Sequence, residues 1–421
     1  MPVSVVIPPC ITIDPVTRRV SLDVRNPEFY RNPLPAYAAL HAHCPAFFWE
    51  EQAQWYFAGY EQVNGLLRDR RFGRQILHVA TREELGMPEP QPHLKDFDAL
   101  EAHSLLELEP PAHTRLRTLV NRAFVSRQIE QLKPEIAALA HRIIDGFEKD
   151  GRVELLKTYA EIIPVTVIAR MLGIPVEDGP KLLDWSHRMV RMYMFNPTLE
   201  TELDANQASA EFSDYLSGII AAKRLSPGDD LLTHMITTEK DGERLSDAEL
   251  ISTAVLLLNA GHEATVHQLG NAVHAILDTG SSPKALFADD TATERTIEET
   301  MRYAAPLHIF QRYALSDIEL DDGIRLKKGD KIGLLLAAAN VDPKKFSDPL
   351  SFRPDRDEGV HVSFGAGLHF CIGAPLARLE LKLSLPILFE RLPGLRLASA
   401  PEVKDSYHFH GLERLDLVWP V

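Results

Sequence analysis

The segment from Ser246 to Gly280 constrains the fold of this 421-residue chain more than any other. It opens with SDAE, Ser246 to Glu249, a pattern in which serine caps the first turn and a glutamate three residues on reaches back to it. It closes at Gly280, the residue type that most easily takes left-handed backbone past a helix end. Between them apolar residues recur at helical spacing without a proline, which predicts one long central helix over 246–279. At 1.5 Å per residue such a helix runs about 45 Å, enough to cross the whole molecule. Its centre, AVLLLNAGHEATVHQLG, is apolar and then abruptly polar at His262 and Glu263. The apolar run is far too short to span a bilayer. Glycine in a helix interior costs about 1 kcal/mol relative to alanine, and a buried carboxylate needs partners. Two readings of Gly261 and Glu263 therefore stand side by side: a helix packing contact with an acid reaching water, or a functional site at mid-helix.

Helical periodicity dominates from about Glu130 to Arg302, with no repeat or Gly/Ser linker. Strand patterns lie outside that span, at QWYFAGY from Gln54 and in IELDDGIRLKKGDKIGLLLAAAN, where Asp322-Gly323 is a hairpin turn between two runs. The fold class is mainly α with small peripheral β-sheets. Residues 81–113 hold five prolines and little periodicity, and a connection of that length is a candidate lid. The formal net charge of -15 argues against a nucleic-acid-coating surface and against a polybasic membrane patch. The opening MPVSVVIPPCITIDP lacks a basic region and breaks its short apolar run with two prolines, so a cytoplasmic protein without a membrane anchor is expected.

The chain has three cysteines, Cys10, Cys44 and Cys371, with no CxxC pair. Disulfides and a cysteine-rich zinc site are therefore not expected. Cys371 stands among three glycines in FGAGLHFCIG, just before APLARLELKLSL, which reads as a helix with Pro375 in its first turn. A lone cysteine serves as nucleophile, metal ligand or haem-iron ligand, or packs as a small apolar residue. Gly365 and Gly367 permit positive φ and close approach to a flat surface. A helix N-terminus favours thiolate over thiol.

FGAGLHFCIG resembles the haem-binding signature FGxGxHxCxG of the cytochrome P450 family at every fixed position. Other landmarks follow in family order over roughly residues 30 to 420: PPAHTRLRTLV, AGHEA, EETMR and NVDPKKFSDPLSFRPDR. The resemblance implies the cytochrome P450 fold, a triangular helical prism, as a single domain over 1–421. Its parts would be an N-terminal extension to about residue 30, the central helix, and a haem-thiolate loop with its following helix at 361–385. It implies haem b, iron protoporphyrin IX, with Cys371 as the metal ligand, a thiolate that pushes electron density onto the iron. The propionate positions fall on His113, Arg117, Arg312 and His361. Glu299 and Arg302 are expected in a buried structural network whose third member is Arg353 or Arg356.

The oxygen-side motif departs from the family. An acid followed by threonine is usual; here Glu263 is followed by Ala264, with Thr265 one place later. Thr265 is rotated by about 100° on a helix, so the proton relay is expected to use Glu263, an ordered water or a substrate hydroxyl. Met189, Met192 and Met194, beside Tyr193 and Phe195, are candidate pocket residues or plain packing. Leu257, Leu258, Ile309, Phe310 and Phe409 are further pocket-wall expectations from the resemblance. The implied activity is insertion of one atom of O2 into a small or medium apolar organic substrate. Electrons would come from NAD(P)H through a reductase and a ferredoxin-type partner docking near Arg115, Arg122 and Arg127. The alternatives are peroxide-driven chemistry, a non-hydroxylating rearrangement or coupling, and a haem sensor without turnover.

Overall fold

The structure, a computed structural model, describes residues 5–123, 126–240 and 242–421, without the side chains of 126–128, so the side chain of Arg127 and the first four residues of the expected extension lie outside the described part. Eight helices position the site: α1 (Lys95–Glu101), α2 (Ala112–Ala123), α3 (Ile162–Leu172), α4 (Gly179–Val190), α5 (Leu199–Leu225), α6 (Asp247–Asp278), α7 (Asp290–Tyr303) and α8 (Ala374–Arg391). The largest sheet is built from short strands: β1 (Ile11–Asp14), β2 (Arg19–Leu22), β3 (Ala46–Trp49), β4 (Gln54–Phe57), β5 (Phe72–Gly73), β6 (Ile309–Ala314) and, beyond a small hairpin of β7 (Ile318–Glu319) and β8 (Arg325–Leu326), β9 (Lys331–Leu335). Their order across the sheet is β1-β2-β3-β4-β9-β6-β5. Residues 11–22 are thus the edge of this sheet, paired through β2 to β3, and not an extension apart from it.

The central helix α6 begins and ends where its local signals place it. Ser246 Oγ accepts from Glu249 N at 3.3 Å, Glu249 Oε2 accepts from Ser246 N at 2.9 Å, and Gly280 has φ +64°. Most of its length is buried, and α3, α4, α5, α7 and α8 pack on it. A Cβ on Gly261 would stand 3.3 Å from Ile168 Cγ1, so the glycine lets α3 approach closely.

The hairpin turn at Asp322-Gly323 is present, with β7 paired to β8 and Gly323 at φ +81°. The second run does not continue as one strand. Asp330 N–H donates to Lys327 O across a turn that places Gly329 at φ +94°, and the apolar run that follows becomes β9, buried between β6 and β4. The segment 81–113 is ordered against the helices: Asn206 Oδ1 accepts from Asp96 N and Phe97 N, and Ser252 donates to Leu100 O at 2.7 Å.

Glu299 and Arg302 form a two-pronged pair at 2.8 Å on both contacts, and Arg302 also donates to Asn340 O, Pro349 O and Ser351 O. The third guanidinium is that of Arg356, 3.1 Å from Glu299 Oε1. Arg353 contributes only its backbone N–H to the same oxygen, at 2.6 Å. This network pins the segment leading to the cysteine loop onto α7.

Candidate functional site

A cavity lies between the loop carrying Cys371 and one face of α6. From α6 come Leu256, Leu257, Ala260, Gly261, Ala264, Thr265 and Gln268; from the other side come Phe364, Gly365, His369, Cys371 and Gly373. The α6 positions recur every three to four residues, the spacing that puts side chains on one face. The remaining wall is mostly apolar, including Leu100, Ile168, Met171, Val190, Phe310 and Phe409.

Local chemistry shapes the cysteine loop. Gly365 and Gly367 have φ of +67° and +69°, and Cys371 N–H donates to Phe364 O at 3.0 Å. A Cβ on Gly367 would come within 2.7 Å of Leu67 O, so this glycine serves a backbone-to-backbone approach within the chain, whereas Gly365 borders the cavity. Pro375 sits at the start of α8, as its sequence position predicts. Burial pushes the Cys371 thiol up, opposed by the N–H groups of Gly373 and Ala374 and by the Arg117 and Arg378 charges. Those donors and charges favour the thiolate, as a helix N-terminus predicts, while desolvation opposes it; a coordinated metal would add to the side of the thiolate.

The cations around the cavity fit the acidic groups of a haem. Arg312 is 3% exposed, donates to Gln311 O at 3.0 Å and has no carboxylate within ion-pair distance among the described residues. Burial and the Arg74 charge pull it down to about 9. Arg117 donates to Phe370 O at 2.7 Å and likewise lacks an acidic partner among the described residues. Both ring nitrogens of buried His113 are without hydrogen-bond partners. Arg312 and the partly exposed Arg117 line the cavity, and His113 packs 4.5 Å from the wall residue His369; unpaired buried cations and donors are costly, so this cluster calls for an anionic group there.

His361 does not join them. Its Nε2 lies 3.2 Å from Glu298 Oε2, its Nδ1 accepts from Ser363 N, and it is not on the cavity wall. The wall position belongs to His369, whose Nε2 is 3.0 Å from Glu109 Oε1 and whose ring lies 4.5 Å from that of His113. Arg74, also on the wall, pairs with Glu107 and donates to Gln311 O at 2.9 Å. His369 stands at the fixed histidine of the signature, which was the available signal. Arg74 had none in the sequence.

On the α6 side, Ala264 and Thr265 both border the cavity, although successive helical positions diverge. Glu263 does not; it is buried, with His187 Nε2 at 3.2 Å, His262 Nε2 at 3.3 Å and His267 Nε2 at 4.0 Å. Burial opposes ionisation, yet these histidines hold the Glu263 carboxyl down to about 2. A further acid, Glu380 of α8, borders the cavity with both oxygens buried and without partners, and burial pushes its pKa well up. No sequence pattern marked it.

Of the expected pocket residues, Leu257, Phe310 and Phe409 are on the wall, while Leu258 and Ile309 pack into the core. The methionine-rich segment is packing: Met189 is buried, Met194 is exposed, and only Tyr193 of that group reaches the cavity. Of the expected docking arginines, Arg115 is paired with Glu249 at the start of α6, and Arg122 donates to Glu239 O.

A sequence model of the family described as Cytochrome P450 matches residues 75–407. Cytochrome P450 monooxygenase PikC of Streptomyces venezuelae is 36% identical over 402 residues, 93% of this chain and 92% of that protein. Polyketide biosynthesis cytochrome P450 PksS of Bacillus subtilis (strain 168) is 33% identical over 398 residues, 92% of this chain and 96% of that protein. Among solved structures, that of P450BioI in complex with hexadec-9Z-enoic acid ligated acyl carrier protein superposes with a TM-score of 0.86 at 29% identity, covering 93% of this chain and 100% of that chain.

Proposed function

The chain belongs to the cytochrome P450 family of monooxygenases, and from that premise we propose that it holds haem b through Cys371 and oxidises an apolar, oxygen-bearing organic substrate of small or medium size. When bound, the haem supplies the iron centre at which O2 is reduced and one of its atoms enters the substrate. Cys371 would hold the haem iron through its sulfur, and Arg117, Arg312, His113 and His369 would bind the propionates. The observation that carries this reading is the single cavity bounded by Cys371 on one side and the Leu257–Ala264–Gln268 face of α6 on the other, with unpaired Arg117 and Arg312 at its wall.

The apolar wall orients substrate by excluding water and packing its hydrocarbon surface. Ala264 leaves open the place of a hydroxyl, so a hydroxyl or carbonyl of the substrate orders the proton-carrying water there. Glu263 is not on the cavity wall, and its carboxylate is held ionised against His187 and His262 behind α6. The relative named for polyketide biosynthesis, and the neighbour bound to an acyl carrier protein carrying hexadecenoic acid, support an oxygen-bearing organic substrate with apolar surface. Electrons come from NAD(P)H by way of a reductase and a ferredoxin-type protein in the cytoplasm. Among the described residues no helix is long and apolar enough to cross a membrane.

The test is the spectrum of the reduced protein with carbon monoxide. The strongly red-shifted band of a thiolate ligand is expected, and Cys371→Ser removes it. If the substituted protein keeps the band, Cys371 is not the ligand. A second reading, peroxide-driven or non-hydroxylating chemistry on the same haem, is favoured by Ala264 alone. Turnover that needs no ferredoxin or reductase and proceeds with peroxide would select it.

A further inference from the structure

Outside the cavity wall, α4 and the central helix α6 bring three ligand-type atoms together. His187 on α4, with His262 and Glu263 on α6, offers atoms that all lie within 4.8 Å of one another. His187 Nε2 is 3.2 Å and His262 Nε2 3.3 Å from Glu263 Oε1. Atoms held at 2.0–2.1 Å by a tetrahedral zinc ion stand about 3.3 Å apart, so two of the three separations already have the length that coordination demands. Neither His262 Nε2 nor Glu263 Oε1 makes a hydrogen bond, and both side chains are more than nine-tenths buried.

The surrounding groups prepare these atoms for a metal. His262 donates Nδ1–H to Leu258 O at 2.8 Å, which fixes the ring orientation and directs Nε2 at Glu263. His267 Nε2 lies 4.0 Å from Glu263 Oε2, the other oxygen of the carboxylate. The His187 side chain is 49% exposed, which opens an entry path and a fourth position for water. Two imidazoles and one carboxylate suit zinc better than magnesium or calcium, which prefer all-oxygen sets.

We propose that His187, His262 and Glu263 form a zinc site that ties α4 to the central helix α6. Bound Zn2+ takes the Glu263 carboxylate as a ligand and restrains α4, whose last residue, Val190, borders the cavity. The site depends on neither the haem ligand nor the substrate reading.

The experiment titrates Zn2+ into haem-loaded protein, freed of adventitious metal, in competition with a chromophoric zinc chelator. One site per chain is expected, weakened at least about 10-fold by His187→Ala and by His262→Gln, and unchanged by His78→Ala at an exposed histidine. His187→Gln, at the half-exposed position, keeps the test valid if the buried substitution does not fold. Zinc-edge X-ray absorption should show two imidazole nitrogens and one carboxylate oxygen at about 2.0–2.1 Å. Hydrogen exchange in α4 should slow when zinc is added. Absence of a site that competes with the chelator overturns the proposal, and so does a site whose affinity survives both His187 substitutions.

Discussion

Arg356 Nε lies 3.1 Å from Glu299 Oε1, a contact between residues 57 apart in the chain that closes the buried Glu299–Arg302 pair. Arg353, three residues earlier, reaches the same oxygen with its backbone alone, and its guanidinium points to Asp348 and Asp355 at the surface. Arg356→Ala is therefore expected to cost about 3 kcal/mol, because Glu299 stays buried with one of its charges removed. Arg353→Ala should cost less than about 1 kcal/mol, since its N–H remains. Denaturant unfolding of the two variants checks this, and equal losses would place the third guanidinium elsewhere.

Haem retention should separate cations on the cavity wall from cations elsewhere. Arg117→Ala, Arg312→Ala and His369→Ala should each speed haem transfer to a haem-accepting apoprotein by about 10-fold, equivalent to about 1.4 kcal/mol. Arg188→Ala, which breaks contacts of α4 to Asp204 and Glu211, should change the rate little. His361→Ala should resemble Arg188→Ala, because His361 is held by Glu298. A His361 effect as large as that of His369 would restore it to the cofactor's side.

Ala264→Thr tests how protons reach the cavity. With a substrate that carries its own hydroxyl or carbonyl, product formed per NAD(P)H should be high in the wild type and fall in the variant, whose extra atoms crowd the site at about 1–3 kcal/mol. With the deoxygenated analogue the order should reverse, because the threonine hydroxyl orders the missing water. Yields indifferent to both changes would route protons through Glu263 or Thr265 instead.

Glu380→Gln should stabilise the protein in a pH-dependent way. Burial raises the folded-state pKa of Glu380 above its unfolded value. Its contribution is thus fully present below the ordinary carboxylate range and is lost as pH rises towards the folded pKa. The amide does not titrate, so the advantage of the variant should be small near pH 4.5 and grow by up to about 1.4 kcal/mol per pH unit above it. Unfolding free energies at pH 5 and pH 8 measure the difference; parallel curves would mean that Glu380 is ionised and solvated in the folded state.

The ends of α6, the turn at Asp322-Gly323 and the cysteine loop were legible in the sequence because each is decided within a few residues. A serine caps a turn three residues away, a glycine takes positive φ where it stands, and a proline starts a helix wherever the chain meets it. Which side of α6 faces the cavity was legible only in part: of the two neighbouring leucines expected on the wall, Leu257 borders it and Leu258 packs into the core. Tertiary structure alone decided between Arg353 and Arg356, turned His361 to Glu298 and His369 to the cavity, and packed Met189 into the core. It also left Glu380 without a partner and set His187 against Glu263. Those outcomes depend on which distant element packs beside a side chain. Burial and charge pairing act through space, and neither is encoded in the spacing of neighbouring residues.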